Sequence, residues 1–192
     1  MPALDAPTLA NAAIAAAAGV AIAAACGLRA FLPLLALAAG ARLGLIQLDP
    51  RAAWLASNAS IVALAVATVV EIAADKVPLL DHALDVIATF VRPAAAALAA
   101  WATFAGLHPA LAVAAALILG AGAFGVHVVK AKTRLGSTAF TMGMANPFLS
   151  FAEDAFAGGL SALAVLVPIA AFVLVVLGGW LIIGAARGRP RA

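Results

Sequence analysis

Residues 61–85 read IVALAVATVVEIAADKVPLLDHALD. Apart from Thr68, the stretch to Val70 is apolar. Glu71, Asp75, Lys76, Asp81 and Asp85 then follow while Ile, Ala, Val and Leu continue around them. Such a run suits a helix in hydrocarbon, where a charge costs roughly 3 kcal/mol or more unless it is paired, hydrated or drawn to the interface. The stretch therefore predicts an all-α fold, a polytopic helical membrane bundle with charge in its interior.

The rest of the chain points the same way. Its 192 residues are 67% hydrophobic and 10% charged, with a mean hydropathy of +1.17. A soluble domain carries about 25% charged residues. One integral membrane domain over residues 1–192 is expected, with 1–8 and 186–192 as flexible termini. The sequence pI of about 9.8 raises the question of nucleic acid. The basic residues flank apolar segments, however, as the positive-inside pattern requires, so no nucleic-acid partner is expected. The lone Cys26 excludes an internal disulfide. No Lys or Arg precedes the first apolar run, which carries Asp5 instead. That run is read as retained, with Cys26 as a small buried residue.

Apolar segments run from Thr8 to about Ala25, from the break at Gly27–Pro33 to about Leu48, and from Trp54 to Ala74. Asp49-Pro50 reads as an N-cap and first helical residue. After a polar hinge at 74–82, further segments run from Leu84 to Gly106, from His108-Pro109 to Val129, and from Gly159 to Ala185. Residues 130–136 read as a basic linker, and 137–152 as a short segment that either crosses or is re-entrant. This gives about six to seven membrane segments with broken or re-entrant helices. The linker and the tail with Arg187, Arg189 and Arg191 belong in the cytoplasm of a bacterial inner membrane. Glu153 and Asp154 fall on the opposite side if 137–152 crosses. Gly27-Leu28-Arg29-Ala30-Phe31 echoes Gly136-Ser137-Thr138-Ala139-Phe140, and Val70-Glu71 with Lys76 echoes Val126-His127 with Lys132. An internal repeat of broken helices, as in transporters, is suggested.

The charges form stripes at helical spacing. Glu71 and Asp75 share a face, with Lys76 just beyond. They read either as an interior polar site or as end charges that snorkel. Asp81, Asp85, Thr89 and Arg92 form a second stripe, beside the Pro93 that interrupts helical hydrogen bonding. Either a ligand contact or an internal Asp–Arg pair explains it. His127, Lys130 and Arg134 form a basic stripe, and Asn146, Ser150 and Glu153 another, with Asp154 alongside. Adding Arg29, these residues are the candidates for a polar core or ligand site. Glu71 needs a partner from another helix, and Lys130, Arg134 and Arg92 are the expected cations. Asp81, His82 and Asp85 lack a clear fourth ligand, so no metal is assigned. Gly120-Ala121-Gly122-Ala123-Phe124-Gly125 fits a dinucleotide fingerprint but lies inside an apolar span, where glycines serve helix packing. No cofactor is expected.

The blocks GLRAFLPL (27–34), VEIAADKVPLLD (70–81), Arg92-Pro93, HVVKAKTR (127–134) and NPFLSFAED (146–154) resemble a bacterial membrane-protein family catalogued as domain of unknown function 4126. The resemblance spans about residues 10–180. It implies an integral membrane protein, with the charged blocks as identifying features, and it implies no reaction.

The leading expectation is transport or translocation of a small solute, ion or lipid through a charged polar core. The alternatives are a membrane-embedded enzyme acting on a lipid headgroup, with Glu71 or Asp85 as general base, and a structural or assembly protein whose charges pair internally. The expected partners are the lipid bilayer, a small ligand and a second copy of the chain.

Overall fold

The computed structural model describes residues 6–76, 78–104 and 107–187. Side chains are described from residue 10 to 76, 86 to 104, 107 to 184 and at 187. All regular structure among them is helical: α1 (Ala6–Cys26), α2 (Phe31–Arg42), a 3-10 segment (Pro50–Ala56), α3 (Asn58–Ala74), α4 (Pro78–Thr103), α5 (Pro109–Thr141), α6 (Asn146–Leu166) and α7 (Pro168–Arg187). Proline sets most of these starts. Pro50, Pro78, Pro109, Pro147 and Pro168 stand at or beside the first residue, where a fixed φ helps and the missing N–H is not needed. Pro93 is the exception, and α4 runs through it.

α1 lies at the centre and packs against α2, α4, α5, α6 and α7. Its alanines make this possible, because small side chains let backbones approach closely. Ala18, Ala21, Ile22, Ala25 and Cys26 are fully buried. Gly19 meets α4 so closely that a Cβ there would overlap Thr103 Oγ1. α4 and α5 form the most extensive helix pair.

Val86–Thr103, Pro109–Thr141 and Asn146–Leu166 are long and apolar enough to cross a membrane. The 3-10 segment and α3 qualify together but bend by 61° at Ser57. Ala10–Cys26, Phe31–Arg42 and Pro168–Gly184 are shorter apolar helices.

Several expected boundaries are corrected. The basic linker at 130–136 is helix, because α5 continues through it to Thr141. Residues 137–152 are not one segment: they are the last turn of α5, a tight turn at 142–145 and the start of α6. Met142 and Gly143 make that turn with φ of 53° and 82°. α5 and α6 thus form a hairpin, which puts Glu153 and Asp154 on the same side as Arg134. The expected last helix is two, parted at Val167. The sequence echoes do not repeat a local structure. Gly27–Ala30 is the break between α1 and α2, with Phe31 opening α2, whereas Gly136–Phe140 lies within α5.

Candidate functional site: a buried ion network at the helix ends

The end of α1, the start of α2, the end of α3, the later part of α5 and the start of α6 come together at one end of the bundle. Asp75 stands at the centre. Its Oδ2 accepts from Arg29 Nη2 at 2.6 Å and from Ser150 Oγ at 2.9 Å, and Arg134 Nη1 donates to its Oδ1 at 3.1 Å. Glu153 takes Arg134 Nη2 at 2.8 Å and Lys130 Nζ at 3.0 Å. Asp154 lies 2.6 Å from Arg29 Nε and 2.8 Å from Lys76 Nζ. Arg29 is 0% exposed, and Lys130, Arg134, Asp75 and Ser150 are buried with it. Charges at such depth persist because each finds an opposite charge and further hydrogen bonds; an isolated one would not.

Glu71 has a different partner from the cations expected for it. Its carboxylate accepts the backbone N–H of Ala30 at 2.9 Å and of Phe31 at 3.1 Å. These groups open α2, whose N-cap Ala30 has no side chain able to cap it. A helix start leaves N–H groups without partners and carries partial positive charge. Glu71 satisfies both needs from across the fold. No sequence signal announces this, because an N-cap is sought within a few residues of the helix, and Glu71 lies 41 residues from Ala30.

A second polar centre joins α4 to α5. Arg92 Nη1 donates to His127 Nδ1. Arg has only donors, so the imidazole proton belongs on Nε2, which faces Thr89 Oγ1 at 3.3 Å. His127 and Arg92 are buried. Lys130, one turn beyond His127 on α5, reaches back to Leu28 O at 3.4 Å. Asn146 does not join the network; its Nδ2 donates to Thr138 Oγ1 at 3.0 Å within the hairpin. The side chains of Asp81, His82 and Asp85 lie outside the described residues.

The family match covers the network, the second centre and the hairpin, from residue 16 to 187. The chain belongs to the family described as domain of unknown function, DUF4126. No curated protein and no solved structure matches it. The apolar helices of this DUF4126 chain mark it as a membrane protein.

The opposite end of this DUF4126 fold carries different chemistry. There a cavity of about 150 Å³ lies between Asn11, Ala15 and Ala18 of α1 and the loop at Gly44–Gln47. Nearby, Arg51 donates from its backbone N–H and from Nε to Asp49 Oδ1, both at 2.9 Å, and from Nη2 to Oδ2 at 2.9 Å. These bonds hold the Asp49 carboxyl down to about 2, below its ordinary 3.8. The Arg51 guanidinium also lies over Trp101, 5.6 Å from the ring centre. This pair was not among the candidate site residues, although the Asp49-Pro50 cap marked the position.

Proposed function

We propose that the protein moves a small solute, ion or lipid across the bacterial inner membrane, with the ion network as a closed gate. The observation that carries this reading is that the network is assembled from separate chain segments at helix ends. Its bonds are therefore broken by moving helices apart and not by unfolding one. The cavity at the other end, beside Asn11 and residues 44–47, suits a compartment open to that side while the network shuts the other.

The proposed topology has six to seven segments, and it follows from the alternation of helix ends. α1 and α3 finish at the network, α5 runs through it to Thr141, and α2 and α6 begin on that side. If α7 crosses in turn, its Arg187 end returns to the network side. Lys76, Lys130, Lys132 and Arg134 lie on that side too, so the positive-inside pattern makes it cytoplasmic. A C-terminal reporter active only in the periplasm would overturn this orientation.

The gate is tested with Ser150→Cys in a Cys26→Ala background, reconstituted in vesicles and exposed to a membrane-impermeant maleimide. Transport predicts slow labelling that rises when Glu153→Gln removes the charge that Lys130 and Arg134 share. The mutual pairing of Arg29, Asp75, Lys130, Arg134 and Glu153 also favours a second reading, a structural or assembly protein with a static charge lock. Labelling that stays absent in both proteins, each still folded, would select that reading. The enzyme reading loses one of its two candidate bases, because Glu71 already accepts two backbone N–H groups, and it then rests on Asp85, whose side chain lies outside the described residues.

A further inference from the structure

The tip of the α5–α6 hairpin carries exposed apolar side chains that none of the described residues covers. Phe140 is 91% exposed, Met142 94%, Met144 78% and Phe148 77%, and Phe151 is exposed beside them. α5 and α6 touch each other only sparsely. Apolar side chains also face outward along the helices, as lipid-facing surfaces require, so what sets this group apart is its place at a turn between two helices.

Helix length sets its depth. From Pro109 to Arg134, α5 is roughly 37 Å long. At an ordinary tilt of about 20° this covers a hydrocarbon core of about 30 Å and part of one headgroup layer. Lys130 and Arg134 then stand at the hydrocarbon boundary. The helix continues from Arg134 to Thr141, adding roughly 10 Å, which carries the tip into the headgroup layer. Its polar groups agree with that depth: Thr141 Oγ1 accepts from Ala145 N at 3.3 Å, and Asn146 donates to Thr138. Cations flank it. Lys132 is exposed, and Lys76, paired with Asp154 at 2.8 Å, keeps its Nζ 4.6 Å from the centre of the Phe151 ring. Apolar side chains set among lysines are the chemistry of a surface that meets anionic phospholipid headgroups.

We propose that the hairpin tip, Phe140 to Phe151, is a lipid-binding surface seated among anionic phospholipid headgroups on the network side of the membrane. This does not depend on the transport reading and holds equally for a structural protein. Bound lipid would stabilise the turn whose two arms carry Arg134 and Glu153, and so would bear on the network directly.

The test uses the full chain with Met144→Cys in a Cys26→Ala background, labelled with an environment-sensitive fluorophore. It is placed in vesicles of phosphatidylglycerol and phosphatidylcholine. Brominated forms of each lipid serve as quenchers, with bromine near the headgroup or deep in the chain. The expected result is strongest quenching by shallow bromine on phosphatidylglycerol and weak quenching by aqueous iodide. Lys132→Ala should lower the preference for phosphatidylglycerol roughly fivefold, as expected for one lysine near a charged surface. Each remaining outcome overturns the proposal. Iodide quenching without lipid quenching would put the tip in water. Dominant deep-bromine quenching would put it in hydrocarbon. Disulfide cross-linking between unlabelled Met144→Cys chains, with lipid quenching absent, would assign the surface to a second copy.

Discussion

Arg29 and Asp75, 46 residues apart, meet at 2.6 Å with Arg29 wholly buried. The contact ties the α1–α2 break to the end of α3, and Ser150 and Arg134 bond to the same carboxylate from α6 and α5. Asp75→Asn would leave Arg29 and Arg134 facing each other without the charge between them. A loss of about 3–5 kcal/mol is expected, the usual cost of removing one partner from a buried pair. Thermal unfolding in detergent measures it. A loss below about 1 kcal/mol, the range of solvated pairs, would show that the network is hydrated.

Glu71→Gln should cost less. The glutamine keeps an oxygen for one N–H of α2 and loses the charge that suits the helix start. A loss of about 1 kcal/mol is expected, as for helix capping and dipole effects. A loss as large as that for Asp75→Asn would mean that Glu71 serves a cation after all.

The glycine run of α5 contains its own control. A Cβ on Gly120 would lie 2.9 Å from the Pro93 carbonyl oxygen of α4, whereas Gly122 has nothing within 4 Å. Gly120→Ala should destabilise by about 1–3 kcal/mol, the usual range for overpacking against a rigid neighbour. Gly122→Ala should be neutral or stabilise by up to roughly 1 kcal/mol, through helix propensity alone. Equal effects on the unfolding temperature would refute the α4–α5 contact.

Asp49 predicts a pH effect. Its folded carboxyl is held at about 2, below the ordinary 3.8. A depressed carboxyl stabilises the fold above its unfolded value, and that contribution fades as pH falls through the folded one. Between pH 4 and 2 the wild type should therefore lose stability faster than Asp49→Asn. The network carboxylates are common to both proteins and drop out of the comparison. Parallel curves would show that the Arg51 contact contributes nothing.

The chain's own pattern settled the large features. The uninterrupted apolar runs around Glu71 and through α5 required helices in a membrane, because only a helix satisfies its own backbone there. The alanines of α1 let it pack against five other helices, and the stripes at helical spacing contained Asp75, Lys130, Arg134, Ser150 and Glu153 of the network, although they also contained Asn146, which stands apart. Local chemistry could not reveal how far helices extend or which charges meet. The basic run at 130–136 reads as a linker by composition, yet it stays helical because two of its three cations, Lys130 and Arg134, are neutralised by Asp75 and Glu153 from other segments. Glu71 has the composition of an ion-pair partner, yet it closes the start of α2, because those amides and not a guanidinium lie within its reach. Sequence spacing fixes which side chains share a face of one helix. Which face meets which is decided only when the helices pack, since charge pairs and capping contacts between distant segments exist only in the assembled fold.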